Sequence, residues 1–129
     1  MIGDTRLLVV DDEDVVCRGC RRLLAREGYR VRTSTNATEG LNLAREWDYD
    51  AIVLDIKMPD LDGIQFLEEL RETKPDTPVI IITGYPSPET EASAKRLGAA
   101  HYVTKPFTPA KITQAVRELL PPDNLRGWL

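Results

Sequence analysis

Leu7-Leu8-Val9-Val10-Asp11-Asp12-Glu13-Asp14 is the stretch whose reading decides the fold. Four apolar residues run without interruption into four acids. A continuous apolar run, unlike an alternating one, suits a strand buried on both faces of a parallel sheet. Ala51-Ile52-Val53-Leu54 and Val79-Ile80-Ile81-Ile82 have the same texture. Tyr29-Arg30-Val31-Arg32-Thr33 alternates, as an edge strand does, and the weaker run from Ala99 to Val103 also reads as an edge.

Helical stripes separate these runs. Val16, Cys20, Leu23 and Leu24 repeat at i, i+4, i+7 and i+8, and Gly28 supplies a C-terminal cap. Asn36 opens a second helix carried by Leu41 and Ala44. Phe66, Leu67 and Leu70 mark a third. The fourth is feeble: Ser87 caps it, Pro88 sits in its first turn, and only Ala92 and Leu97 carry its apolar face. The fifth follows Thr108-Pro109, with Ile112, Ala115, Val116 and Leu119 on one face. Strand and helix therefore alternate five times. Right-handed crossovers would cover both faces of one parallel sheet. The expected class is α/β, a flavodoxin-like (βα)5 doubly wound five-stranded sheet. The order 2-1-3-4-5 places the alternating second strand and the weak fifth at the edges.

The 129 residues suit one domain, read here as 1–120, with 121–129 as a C-terminal tail or the start of a linker after Pro121-Pro122. A composition of 42% apolar and 29% charged residues excludes a disordered chain. No apolar run approaches the ~20 residues that span a bilayer, and the N-terminus does not read as a signal peptide. The net charge of −4 argues against direct nucleic-acid contact, which needs a basic excess. Two cysteines make no disulfide framework, so a cytoplasmic location is expected. Cys17-Arg18-Gly19-Cys20 imitates a redox C-x-x-C but lies inside a helix, without the helix N-terminus that stabilises a thiolate; Cys20 reads as core.

On this scheme the polar residues fall at strand ends. Asp11 and Asp12 follow the first strand, Asp55 ends the third, Thr83 ends the fourth and Lys105 follows the fifth. Sites in such sheets form beyond the carboxyl ends of the strands, where the strand order reverses, here between strands one and three. Three carboxylates meeting there repel: two charges 4 Å apart cost about 4 kcal/mol at an effective dielectric of ~20. A cation relieves that repulsion, and an all-oxygen ligand set with room for water favours Mg²⁺. Singly, Asp11 and Asp12 read as helix-capping acids, Thr83 as a β-branched strand residue and Lys105 as a surface lysine. Jointly they favour a site.

Val9-Val10-Asp11-Asp12-Glu13, Leu54-Asp55-Ile56-Lys57-Met58-Pro59-Asp60, Ile82-Thr83-Gly84 and Tyr102-Val103-Thr104-Lys105-Pro106-Phe107 together resemble the response-regulator receiver family, from residue 6 to about 120. The resemblance implies two-component phosphorelay signalling. Asp55 would take a phosphoryl group from the phosphohistidine of a histidine kinase or a histidine phosphotransfer protein. Asp12 and Asp55 would contact Mg²⁺ directly, Asp11 through water, and the backbone carbonyl of Lys57 would add a ligand. Lys105 and Thr83 would each serve a phosphoryl oxygen. Tyr102 matches the aromatic that changes rotamer. Pro106 matches a cis proline, although residue chemistry alone favours trans. Phosphorylation would alter the surface of helix four, strand five and helix five toward an output partner, and could drive homodimerisation. No membrane is involved on this reading, and the protein is a switch whose only catalysis acts on itself, autodephosphorylation included.

Other residues have two readings. Arg18, Arg22 and Arg26, with Arg21 beside them, form either a solvated helix face or a dock for the donor's helix pair. Lys57 is larger than the residues frequent there in the family, and Tyr85 follows Gly84 at the pocket rim; both would screen attacking water, or both point away. His101 lacks a catalytic context and reads as structural. Gly19 has no evident purpose, and Leu125, Trp128 and Leu129 would dock on the domain or belong to a linker. An aspartyl phosphohydrolase would want a second Asp at position 57, where Lys57 stands. An FMN binder would want a Ser/Thr/Gly-rich loop where the acids stand after the first strand.

Overall fold

The computed structural model describes residues 4–120. Five strands, β1 (Arg6–Val10), β2 (Arg30–Ser34), β3 (Ala51–Asp55), β4 (Val79–Thr83) and β5 (His101–Thr104), alternate with α1 (Asp14–Arg26), α2 (Ala37–Glu46), α3 (Gly63–Thr73), α4 (Pro88–Arg96) and α5 (Pro109–Leu119). All the pairings are parallel and the order is β2-β1-β3-β4-β5. The runs read as central strands are central, and the alternating and weak runs are the edges.

The continuous apolar runs have two cores to fill. Leu7, Val9, Val53, Ile80 and Ile82 face α1 and α5, meeting Cys17, Cys20, Leu24, Ile112 and Val116. Leu8, Val10, Ile52, Leu54 and Ile81 face the other way, against Leu41 of α2, Phe66, Leu67 and Leu70 of α3, and Ala94 of α4. Burying one such side chain fully contributes about 1.5–3 kcal/mol. Helix boundaries follow local chemistry. Asn36 accepts from Glu39 N–H, Ser87 from Thr90 N–H and Thr108 from Lys111 N–H, each satisfying a donor that the first helical turn leaves open. Gly28 ends α1 with φ 95°, a conformation that a side chain resists.

Two local expectations need correction. Tyr29 does not belong to the edge strand; its ring packs in the α1/α5 core and its hydroxyl donates to Leu120 O at 2.8 Å. In α4 the buried residue is Ala94, not Ala92, which is exposed. Ala92 and Leu97 are five apart and cannot share a helix face, whereas Ala94 and Leu97 are three apart. The expectations placed on Pro121-Pro122, Leu125, Trp128 and Leu129 lie outside the described residues. No helix among the described residues is long and apolar enough to cross a membrane.

Candidate functional site

The register brings the acids together. β1 pairs with β3 through Val10↔Leu54, so Asp11, one residue on, stands beside Asp55. The chain leaves β1 toward one face of the sheet and β3 toward the other, which opens the crevice between them. Oxygen atoms of Asp11, Asp12 and Asp55 lie within 4.8 Å of one another. Asp11 and Asp55 are buried and Asp12 is exposed.

Asp11 is anchored at both ends. Its N–H donates to Ser34 O at 3.1 Å, and its Oδ1 accepts from Glu13 N–H at 2.8 Å. Lys105 Nζ stands 2.7 Å from Oδ2, an ion-pair distance but off hydrogen-bond geometry, so this buried oxygen lacks a hydrogen-bond partner among the described residues. The same ammonium lies 3.0 Å from Glu13 Oε1 and 3.5 Å from Asp55 Oδ2. Burial opposes the charge of Lys105, but its contacts with Asp11 and Glu13 outweigh that and hold its pKa above the ordinary value. Burial, and then the Asp11 charge, push Asp55 up from 3.8 to about 7. Burial likewise raises Asp11. One lysine therefore does not neutralise the cluster. Hard oxygen donors and repulsion that one lysine leaves unrelieved fit a small divalent cation.

Thr83 ends β4 fully buried, and its Oγ1 accepts from Tyr85 N–H at 3.0 Å. Lys105 follows β5, its N–H donating to Thr83 O at 2.7 Å, and the Lys105–Pro106 bond is cis. A cavity of about 320 Å³ opens over Asp55, with Gly84 in its wall and Lys57 and Tyr85 at its rim. The Lys57 ammonium lies 5.9 Å from the centre of the Tyr85 ring, so the two side chains meet there. Tyr102 points away from this cavity. Its hydroxyl pairs with Thr90 Oγ1 at 2.9 Å and accepts from Ser87 N–H at 3.4 Å, at the start of α4.

Three residues that hold the site together were not singled out in the sequence. Glu13 is the second acid on Lys105. Gly63 opens α3 against the backbone of Asp55: a Cβ there would lie 2.4 Å from Asp55 O and 2.6 Å from Ile56 Cα. Its signal was the Asp62-Gly63 pair at a helix start. Asp60 accepts from Thr38 N–H and Oγ1 and from Ala37 N–H, tying the β3–α3 loop to α2. Nothing local announces that bond, since its partners lie more than twenty residues away.

Cys17 and Cys20 are buried and not joined in a disulfide. Burial pushes their thiols up to about 11 and about 12, which removes the thiolate that redox chemistry would need. His101 pairs with Glu118 at 3.2 Å on the far edge. On α1, Arg18 pairs with Asp14 at 2.9 Å in solvent.

A parallel five-stranded sheet with an aspartate cluster at its switch point and a lysine after its last strand is consistent with a phosphoacceptor signalling domain. The chain belongs to the response regulator receiver domain family, whose match spans residues 7–117. It is similar to the transcriptional regulatory protein YkoG of Bacillus subtilis, with 38% identity over 88% of this chain and 50% of the relative. The chain thus spans about half the length of that protein. A receiver domain from Methanospirillum hungatei superposes with TM-score 0.87 at 30% identity, covering 93% of this chain and 97% of the other. A response regulator from Burkholderia pseudomallei, solved with a phosphorylated aspartic acid, calcium ion and citrate, gives TM-score 0.80 at 30% identity over 96% of this chain and 72% of the other. Receiver domains are switches of two-component systems; they interact with histidine kinases and output domains and generally bind Mg²⁺ at an acidic cluster.

Proposed function

We propose that Asp55 is the phosphoacceptor of this receiver. The reading rests on one observation: three carboxylates from two strand ends converge within 4.8 Å, with Lys105 against two of them. The N–P bond of a donor phosphohistidine breaks as a bond from an Asp55 carboxylate oxygen to phosphorus forms, leaving an acyl phosphate and a histidine. Asp12 and Asp55, with Asp11 and the backbone carbonyl of Lys57, would hold Mg²⁺, which neutralises charge between the two anions. Lys105 can swing from Asp11 and Glu13 to a phosphoryl oxygen. The Thr83 hydroxyl, which so far only accepts from Tyr85 N–H, can donate to another. Lys57 and Tyr85, meeting over the rim, screen attacking water and slow autodephosphorylation.

The donor has a route to the site. A groove of about 620 Å³ runs beside α1 and shares Glu13, Gly84, Tyr85 and Lys105 with the cavity over Asp55. Val15 at 67% exposure and Tyr85 at 70% face solvent, and both line it. That supports docking of a helix from the histidine-bearing partner against α1. Movement of Thr83 toward the phosphoryl group would vacate space for Tyr102 and free the start of α4, altering the α4, β5 and α5 surface offered to an output partner.

Incubation with acetyl phosphate and Mg²⁺, followed by intact-mass measurement, tests the assignment. The expected result is the mass of one phosphoryl group, absent from Asp55→Asn. A gain that survives in Asp55→Asn, or none in the parent, overturns it.

A further inference from the structure

At the opposite end of the sheet from Asp55, where α2 stops at Glu46, a pocket of about 440 Å³ lies beside the β2 edge. Arg6, Arg30, Arg32, Trp47 and Tyr49 line it. Arg6 is the register partner of Arg30, and Leu8 of Arg32. In a parallel ladder, partners project to the same face, with strands about 4.8 Å apart. The three arginines therefore share the face of Leu8, the face that α2 covers farther up the sheet.

Among the described residues, none of these three guanidiniums has a carboxylate partner, as is also true of Arg21, Arg22, Arg26 and Arg96, but only these three line this pocket. The carboxylate of Asp50, which adjoins the pocket, accepts instead from the Arg6 backbone N–H at 2.8 Å. Trp47 is 48% exposed, one of three large apolar side chains so exposed among the described residues. Charge on an edge strand guards against pairing with another chain. That accounts for Arg30 and Arg32, but not for Arg6 on the inner strand β1, nor for an indole left in water beside them.

We propose that this pocket binds a nucleoside monophosphate, its phosphate held by the guanidiniums and its base stacked on Trp47. Guanidinium groups match phosphate oxygens in a bidentate fork, and a base gains from an aromatic platform whatever its sequence identity. The volume falls within the about 300–1,000 Å³ of small-molecule sites. The pocket is open to solvent, and the overall charge of −4 opposes a polyanion, which favours a free nucleotide over a strand. The site lies apart from the aspartates and shares no lining residue with their cavity, so binding there would be independent of the phosphoryl donor.

The test is titration of the ¹⁵N-labelled full chain with AMP, GMP, adenosine and inorganic phosphate, following the Trp47 indole N–H and the Arg30 and Arg32 amides. The indole signal is assigned with Trp47→Phe. AMP or GMP is expected to give saturable shifts at these positions and to bind at least about tenfold more tightly than adenosine or phosphate alone. Arg30→Gln combined with Arg32→Gln should weaken it about tenfold or more, with the remaining spectrum unmoved. Asp55→Asn should leave binding intact, which separates this pocket from the phosphoacceptor site. No saturable shift with either nucleotide, equal affinity for phosphate, indifference to the arginine substitutions or loss in Asp55→Asn each overturns the proposal. So does binding of a short single-stranded oligonucleotide where mononucleotides fail, since that would make the site a strand-binding surface.

Discussion

β3 and β4 bury all five of their residues, while α4 buries one, Ala94. β4 and α4 follow one another along the chain, yet the strands and the helix are held by different forces. The strands are locked by apolar packing on both faces and by ladders to two neighbours each. The start of α4 is held by Ser87, Thr90 and the Tyr102 hydroxyl, a set of hydrogen bonds worth about 0.5–1.5 kcal/mol each. The lesson is a division of labour. The aspartates sit on the stiff part, where phosphoryl-transfer geometry must not drift. The element that would read out the event sits where a small free energy can move it.

Truncation should break the comparison open most widely. Leu54→Ala, in the middle of the packed layer, is expected to lower unfolding stability by about 2–5 kcal/mol in urea titration. Leu97→Ala, at the end of α4 and only half-buried, should lower it by about 1 kcal/mol. Equal losses would mean that α4 is as tightly integrated as the strands.

Next in size is the electrostatic load carried by the stiff region. In the metal-free protein Asp55 is raised from 3.8 to about 7 by burial first and by Asp11 second. Between those values the folded state keeps a proton that the unfolded state has lost, so stability falls as pH rises from about 4 to about 7. Below the window neither state is charged at Asp55; above it the penalty is complete. At about 1.4 kcal/mol per pH unit, the loss across the window is roughly 2–4 kcal/mol. Thermal unfolding at pH 5 and pH 8 should show it, Asp55→Asn should flatten it, and Mg²⁺ should restore most of the stability at pH 8.

The same contrast explains what the chain disclosed in advance. Short apolar runs that alternate with helical stripes suit doubly covered strands, so Leu7 to Val10, Ala51 to Leu54 and Val79 to Ile82 were legible, and with them the strand ends that carry Asp11, Asp55 and Thr83. α4 was misread at Ala92 because a helix with one buried residue has almost no periodicity to read. Gly63 and Asp60 were invisible for another reason. Their roles lie in a backbone contact and a loop-to-helix bond: the Asp62-Gly63 pair marks a helix start but not the close approach to Asp55, and nothing beside Asp60 marks its bond to α2. Residue chemistry alone favours trans at Lys105–Pro106, and the bond is cis, as the family resemblance implies. Trp47 and the three arginines were legible as residues but not as a pocket, since only the β1–β2 register brings Arg6 beside Arg30.

A milder perturbation sharpens the soft side of the comparison. Tyr102→Phe removes the hydroxyl that pairs with Thr90 and accepts from Ser87 N–H. The expected loss is about 1 kcal/mol, because Ser87 still caps the helix through Thr90 N–H. Hydrogen exchange should speed up in the first turn of α4 and stay unchanged in β3 and β4. Exchange that accelerates in both would show the two regions to be one cooperative unit.

The smallest effect is the one with opposed signs. Gly19 lies inside α1, and a Cβ there would meet nothing within 4 Å. Gly19→Ala should therefore raise stability by about 1 kcal/mol, the difference in helix propensity, read as a higher urea midpoint. A fold left to itself has no use for glycine at that position. Gly19 lines the groove beside α1 that leads to Asp55, and an added methyl would stand in that groove, in the way of the proposed donor helix. Phosphorylation by acetyl phosphate, which is too small to need the groove, should be unchanged in the variant, while transfer from a histidine-bearing protein should slow. If both donors work equally well on a stabilised Gly19→Ala, the α1 groove is not where the donor docks, and the contrast between a rigid site and a soft readout must be drawn without it.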